Sequence, residues 1–183
     1  MNRLLGKLSG GDLRSDGRAN EVAEEVVQNP RLFGQLLDGL REPDDVIRGR
    51  TDHVLERVSR ANQDAFRGLM PQLISLSMRD RVPMFRWHLA MIFGNTAFAV
   101  KDNESVVSAL FRPFTDESVC VKSWAISSLC IIGKRDKRRR KAIIGATKDL
   151  QDDKSVAIRV RTAKALRALQ NENETLPAGW SKT

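Results

Sequence analysis

The chain repeats one sequence block four times, and this repetition constrains its fold more than any other feature. The last copy, "DDKSVAIRVRTAKALRAL" at residues 152–169, returns in degraded form as "TDESVCVKSWAISSLCII", "RDRVPMFRWHLAMIF" and "REPDDVIRGRTDHVLERV". The copies align on a basic residue at intervals of 38, 36 and 37 positions: Arg48, Arg86, Lys122 and Arg159. A period of this length is typical of stacked helical units that bury their apolar faces against one another.

Each copy carries the apolar pattern of an amphipathic helix. In the first copy Ile47, Thr51, Val54 and Leu55 occupy positions i, i+4, i+7 and i+8, and the other copies keep this stripe in register. No run alternates with period two over a useful length, so strands are not expected. A further helical stretch precedes each copy, at residues 30–40, 62–78, 103–114 and 138–150. The sequence therefore predicts an all-α chain of helix pairs.

An acidic residue stands six positions before each basic one: Glu42, Asp80, Asp116 and Asp153. An acid just ahead of a helix is favourable because the helix N-terminus carries a partial positive charge. Stacking of the repeats would also bring each acid close to the basic residue of an adjacent turn. The pattern thus predicts a ladder of charge pairs with a structural role.

The acid–base pair at spacing six and the "V-x-x-R-x-x-A-x-x-A-L"-like second helices resemble HEAT repeats. The last unit is nearest to that pattern, and "GRANEVAEEVVQNPRLFGQLLDGL" at the start resembles small bacterial proteins of this type. The resemblance implies a right-handed α-solenoid of about four helix pairs plus an N-terminal helix. Its repeats would span about 30–60, 62–98, 103–133 and 138–170.

The resemblance covers residues 17–170 as a single repeat domain, with 1–16 expected as a lead-in and the polar, proline-broken 171–183 as a frayed tail. We expect no signal peptide and no membrane span, because no apolar run reaches about 18 residues. Cys120 and Cys130 would lie about 15 Å apart on one helix, too far for a disulfide. The cysteine pattern therefore predicts a reducing, cytoplasmic setting.

The resemblance also implies that the second helices line a concave face. Helical geometry points one set of side chains away from the buried stripe, and these are the predicted partner-binding residues: Arg50, His53, Arg57, Trp87, His88, Met91, Trp124, Arg161, Lys164 and Arg167. Trp and Arg dominate binding hot spots because they bury large areas at modest entropic cost. Trp87 is the strongest candidate, although both tryptophans could instead pack between neighbouring repeats.

A run of seven basic residues in eight, "KRDKRRRK", connects the third and fourth units: Lys134, Arg135, Lys137, Arg138, Arg139, Arg140 and Lys141. Positive charge at the start of a helix opposes the helix dipole. The run therefore indicates either an anionic partner or a solvated loop. The chain has 31 Lys and Arg against 23 Asp and Glu, a net charge of +8 that agrees with an acidic partner but says nothing about fold.

Catalytic motifs are missing from the sequence: there is no Gly-rich phosphate loop, no GxSxG and no HExxH. His53 and His88 have no third ligand at helical spacing, so we expect no metal site, no cofactor and no catalytic residue. HEAT-like DNA glycosylases use groove tryptophans and an aspartate, but the nearest groove carboxylate here is Glu56, two helices from Trp124. The sequence predicts a non-enzymatic scaffold for a protein partner. Nucleic-acid backbone binding through the basic groove and cluster is the alternative, and glycosylase activity is a distant third.

Overall fold

A computed structural model of the chain describes residues 2–100 and 103–181. Within those residues the chain is all-helical and contains no strand, which confirms the predicted class. The helices are α1 (Arg3–Leu8), α2 (Ala19–Gln28), α3 (Phe33–Leu37), α4 (Asp45–Ala61), α5 (Met70–Ser77), α6 (Pro83–Thr96), α7 (Glu104–Phe111), α8 (Val119–Arg135), α9 (Lys137–Lys148) and α10 (Val156–Gln170). Short 3₁₀ turns extend α3, α5 and α7: Pro30–Leu32, Asp38–Arg41, Asp64–Leu69 and Arg112–Thr115.

Four helix pairs stack in line, and each repeat contributes its longer second helix to one continuous layer. In this layer α4 packs against α6, α6 against α8, and α8 against α10. The chain is therefore a helical repeat solenoid. Ahead of the repeats, α2 packs against α4 in the place that an earlier second helix would take. Helix α1 adds three buried leucines to the core, although the sequence predicted only one helix before the repeats.

Small residues let the second helices approach closely, as the Ala, Ser and Thr of the repeated stripe predict. A Cβ added to Gly94 on α6 would lie 2.7 Å from the Ser128 Cβ on α8, too close for any side chain without movement. The Ser128 hydroxyl donates to the carbonyl oxygen of Ala90 at 2.7 Å across the same contact. The interior is otherwise aliphatic, with Phe66, Phe85 and Phe93 as its largest fully buried side chains.

The predicted ladder of charge pairs is confirmed, and each rung joins consecutive repeats. Arg48 pairs with Asp80 at 2.6 Å, Arg86 pairs with Asp116 at 2.8 Å, and Lys122 pairs with Asp153. Each of these aspartates also accepts the backbone N–H two residues later at 2.8 Å, just before the second helix begins. One carboxylate thus orders the turn within its own repeat and joins that repeat to the preceding one.

Both ends of the chain fold back onto the solenoid. Residues 9–17 cross α4, and the tail crosses from α10 towards α6. The expectation of a frayed tail is wrong for the described residues, because Trp180 is only 7% exposed and belongs to the hydrophobic core. The burial of a large aromatic side chain offsets part of the conformational entropy that is lost when the segment becomes ordered. None of the helices in the described part of the chain is long and apolar enough to cross a membrane.

Candidate binding surface

Four of the predicted binding residues form a row across the second helices. Each follows the ladder base of its repeat by two positions, so the same side of every second helix presents one of them: Arg50, His88, Trp124 and Arg161. We call this side of α4, α6, α8 and α10 the second-helix face, and these four residues its central row. The two ends of the central row are arginines, and each of them holds one end of the chain.

Arg50 does not lie on an open surface, contrary to the sequence prediction. Its side chain is 3% exposed, because residues 9–17 cover it. The guanidinium donates to five backbone carbonyl oxygens, those of Leu8, Ser9, Gly10, Asp12 and Ser15, at 2.7–3.4 Å. A planar fork with five donors suits this role, since one residue can satisfy a whole loop of backbone acceptors. Arg50 is therefore a structural residue that fixes the N-terminal segment.

Arg161 marks the other end of the central row and holds the tail. Its guanidinium carbon lies 5.2 Å from the centre of one Trp124 ring and 4.9 Å from the centre of one Trp180 ring. The Arg161 Nε also donates to the Ser127 hydroxyl at 2.9 Å. Cation–π contacts of this kind gain strength when they are desolvated, and burial lowers the pKa of Arg161. The structure thus brings the predicted pair Trp124 and Arg161 together around a third residue that was not predicted.

Between these ends lie two histidines and Trp87. The rings of His53 and His88 are 4.9 Å apart, and Trp87 meets His88 edge-on at 5.6 Å. Burial lowers the pKa of both histidines, and that of His88 falls to about 3, so the two rings are neutral at pH 7. Asp16 of the N-terminal segment lies 3.3 Å from His53 Nδ1. Trp87 is half-buried and packs against the core.

The remaining predicted residues divide between interior and surface. Met91 is buried in the slot beneath Trp180, whereas Arg57 is half-buried in a shallow cleft beside α2. Lys164 and Arg167 are exposed and face residues 174–178 of the tail. Of the ten predicted residues, Lys164 and Arg167 are exposed, Arg50, His88 and Met91 are buried, and the other five, Trp87 among them, are half-buried.

Glu56 is not presented to any ligand in the way that a glycosylase mechanism would require. Its side chain is 1% exposed, and its oxygens accept from Arg60 Nε at 2.9 Å and from Asn95 at 3.3 Å. Asn95 also donates to the Ser59 hydroxyl at 2.9 Å. Over the described residues, His, Cys, Asp and Glu side chains form no group of three placed to hold a metal. The face is organised by hydrogen bonds between its own side chains.

Asp52 carries a buried carboxyl behind this face, and we expect Asp52→Asn to stabilise the fold at pH 7. Its oxygens have no hydrogen-bond partner among the described side chains, and burial, followed by the charge of Glu56, raises its pKa well above the ordinary value. Because the folded-state pKa is raised, the protonated Asp52 carboxyl stabilises the fold below about pH 4. This contribution is lost as the pH rises and the buried carboxyl ionises. A pKa that differs by one between the folded and unfolded states corresponds to about 1.4 kcal/mol. Urea unfolding at pH 4 and pH 7 should therefore show the variant gaining more than about 1 kcal/mol, only at pH 7.

The control for this prediction is Asp152→Asn, because Asp152 is an exposed residue in the turn before α10. The free energy of unfolding of Asp152→Asn should equal that of the wild type at both pH values. Equal stability of Asp52→Asn and wild type at pH 7 would show that the buried carboxyl is compensated within the fold.

The basic cluster is largely paired with acids of the same chain. Lys137 and Arg140 both contact Glu172, at 2.9 and 3.0 Å, while Arg138 pairs with Asp136 and Arg139 with Glu104. Lys134 donates to the carbonyl oxygens of residues 171 and 172, and Arg135 lies over the Phe98 ring. Asp136 caps α9 by accepting the backbone N–H of Arg138. The cluster thus anchors the start of the tail, and Lys141 at its end is exposed.

Comparison with known proteins agrees with the fold. No protein-family model matches the chain, and no curated protein matches its sequence. Among solved structures, the chain is similar to a designed armadillo repeat protein with a TM-score of 0.61 and 15% sequence identity. The match covers 91% of this chain and 80% of the designed protein. At this identity the likeness shows the architecture, a solenoid of stacked helical repeats.

Trp180 lies on the second-helix face, and the sequence reasoning missed it. The repeat pattern gives no register beyond α10, so nothing aligned the tail with the second-helix face. A signal was nevertheless present, because "LPAGW" places the tail's only aromatic residue directly after a glycine and three positions after a proline. That combination is typical of a turn that presents a side chain to a packed surface.

Proposed function

We propose that the chain is a non-enzymatic scaffold that holds a protein segment on its second-helix face. The observation that carries the proposal is that this face already accommodates short irregular segments of polypeptide. Arg50 binds the backbone carbonyls of one such segment, and Arg161 with Trp124 binds the tryptophan of another. A surface with these donors and aromatic rings suits peptide recognition, because backbone contacts supply affinity and an anchored side chain supplies specificity.

The part of the face between the two chain ends is the proposed site for a partner. Trp87 lies there, half-buried, next to the neutral pair His53 and His88. These neutral imidazoles lie beside Trp87 without adding charge to this part of the face. Lys164 and Arg167 extend the site on α10 and favour a partner with acidic residues. The helical stack would keep these groups at fixed spacing, so little ordering would be needed on the scaffold side.

Nucleic-acid binding is less favoured by the arrangement of charge. Four residues of the basic cluster are paired with carboxylates of the same chain, so a phosphate would have to compete with them. Arg50 is buried against the N-terminal segment. Of the basic residues predicted for the groove and the cluster, Arg135, Lys141, Lys164 and Arg167 are exposed and take part in none of these ion pairs, and four such residues are few for the dense phosphate contacts of a strong binder. We also propose a reducing, cytoplasmic setting, in which Cys120 and Cys130 remain thiols.

The proposal is tested by selecting peptides from a random displayed library on the full-length protein. Selected peptides should bind with dissociation constants in the micromolar range, and Trp87→Ala should weaken them by at least about tenfold, as truncation of an interface aromatic does. Val156→Ala is the matched control, because Val156 is 64% exposed but lies on another side of α10. Fluorescence anisotropy with labelled peptides measures each affinity.

The same assay separates the alternative. Labelled duplex DNA and single-stranded RNA are titrated at about 50 and 200 mM salt, since phosphate contacts lose affinity steeply over this range. Peptide binding that depends on Trp87 and changes little with salt supports the protein scaffold. Steeply salt-dependent nucleic-acid binding, together with peptide binding that is unchanged by Trp87→Ala, would favour nucleic-acid binding over the protein scaffold.

A further inference from the structure

We propose that the tail is an exchangeable ligand of the scaffold, and that the slot beneath Trp180 is a docking site for a turn-presented tryptophan of a partner protein. This inference deepens the proposed function and rests on it, because it names the chemistry that one part of the second-helix face recognises. The occupant is a short segment in which a tight turn presents a tryptophan. In the structure the chain's own residues 177–180 take that place.

The slot has the composition of an aromatic binding site. Trp180 lies against side chains from two second helices, which combine apolar and polar character: Met91, Asn95, Trp124, Ser128 and Ile131. Methionine sulfur and an indole ring favour an aromatic partner, and Arg161 covers one side of the Trp180 ring at 4.9 Å. Apart from Trp180 itself, the residues that line the slot stand on α6 and α8.

A tight turn presents the tryptophan, and the turn is encoded locally. The backbone N–H of Trp180 donates to the carbonyl oxygen of Pro177 at 3.2 Å, and Gly179 has a φ of +78°. Glycine with positive φ at the third position of a four-residue turn is the requirement of a type II turn. A Cβ added to Gly179 would meet no heavy atom within 4 Å, so the glycine serves conformation and not space. Any segment with this turn chemistry could present its tryptophan equally well.

The tail between α10 and the turn is held loosely. Its first residues contact the basic cluster through Glu172 and the carbonyl oxygens of residues 171 and 172. Those contacts are exposed, and exposed ion pairs contribute little stability. Most of the tail's binding free energy must therefore come from the burial of Trp180 and Leu176. One side-chain anchor makes an exchange with a similar external segment feasible.

A tethered ligand competes with a free one through its effective concentration. A short flexible linker gives an effective concentration of about 1 mM. If a free peptide binds the vacated slot with a dissociation constant of about 10 µM, the tethered tail weakens its binding to the wild type about 100-fold. The tail would thus set a threshold that only a tighter or more concentrated partner overcomes.

The test uses the full-length chain carrying Trp180→Ala and a fluorescein-labelled synthetic peptide, NENETLPAGWSKT, which corresponds to residues 171–183. Anisotropy should show binding to this variant and about 100-fold weaker binding to the wild type. A peptide with alanine in place of its tryptophan should not bind. Trp124→Ala in the Trp180→Ala background should abolish binding of the intact peptide, whereas Val156→Ala in that background should leave it unchanged.

A second variant tests the docking slot in a protein that keeps Trp180, in case Trp180→Ala has a folding defect. Gly179→Ala keeps the tryptophan but strains the turn, because an L residue with a side chain rarely adopts φ +78°. It should bind the peptide with an affinity between those of the wild type and Trp180→Ala. Circular dichroism in the far ultraviolet confirms that each variant remains helical.

The outcomes separate this inference from the proposed function. No binding of the peptide to a helical Trp180→Ala variant at about 1 mM, or equal binding to variant and wild type, would overturn the docking slot. Selected library peptides that still require Trp87 would leave the scaffold proposal intact in that case. In the reverse result, the tail peptide binds but no selected peptide depends on Trp87. That result would support the docking slot and would limit partner binding to the slot.

Discussion

Replacing Lys122 with methionine should destabilise the solenoid by about 3–5 kcal/mol, because it leaves a buried carboxylate without its charge partner. The Lys122 side chain is 6% exposed and that of Asp153 is 9% exposed, so water can replace the ammonium group only in part. Methionine keeps the length of the lysine stem, which restricts the change to the charge. Urea unfolding at pH 7, followed by circular dichroism, measures the loss.

The pH dependence of this loss identifies its cause. The hydrogen bond from the Lys122 ammonium, followed by the backbone N–H of Ser155, lowers the pKa of Asp153. A lowered folded-state pKa stabilises the fold above the ordinary aspartate value of about 3.9, and the contribution is lost as pH falls through the folded-state pKa. The difference between wild type and Lys122→Met should therefore shrink at pH 3. A loss that is equally large at pH 3 would point to packing and not to charge.

Two further variants make the test specific. Lys122→Met combined with Asp153→Asn should recover most of the stability, because the amide oxygen can still accept the Ser155 N–H while no charge remains buried. Arg159→Met removes the equivalent base of the last repeat, for which no ion pair with the acid of a following repeat is seen among the described residues. Arg159 is exposed and donates only to the carbonyl oxygens of Asp153 and Lys154. Its replacement should cost less than about 1 kcal/mol.

The ladder could be predicted from the sequence because repetition supplies register. An acid six positions ahead of each base fixes where both side chains lie relative to the helix start, and the period of the repeat fixes where the next copy stacks. The same reasoning placed Trp124 and Arg161 on one face, and their rings and guanidinium do meet. Positions that recur in every copy are therefore determined by two independent constraints, helical geometry and translation from one repeat to the next.

The covering of the second-helix face could not be predicted by this reasoning. Helical periodicity predicts which side of α4 or α10 points away from the first helices. It does not predict which residues pack over that side. Residues 9–17 and the tail have no counterpart in the repeats, so no register related them to Arg50 or Arg161. Both segments lie on the central row because its two arginines bind them. Arg50 donates hydrogen bonds to the carbonyl oxygens of one segment, and Arg161 packs its flat cation against the tryptophan of the other.

Replacing Arg50 with methionine should detach the N-terminal segment and lower the stability by about 2–4 kcal/mol. Five carbonyl oxygens accept hydrogen bonds from this one guanidinium. Without it, they can form hydrogen bonds with water only if the segment moves away from α4. Arg50→Lys should recover little, because a single ammonium group cannot reach acceptors spread around a planar fork. Urea unfolding measures the loss of stability in both variants.

Local detachment can be observed separately from global unfolding. Residues 9–17 include Arg14, which is exposed but lies in a segment that Arg50 holds against α4. Limited trypsin digestion under native conditions should cut after Arg14 at least about tenfold faster in Arg50→Met, because proteolysis follows the population of the open segment. Arg57→Met is the matched control, since Arg57 lies two turns further along α4 and is half-buried. Unchanged cleavage at Arg14 in Arg50→Met would mean that the α1–α2 packing alone holds the segment in place.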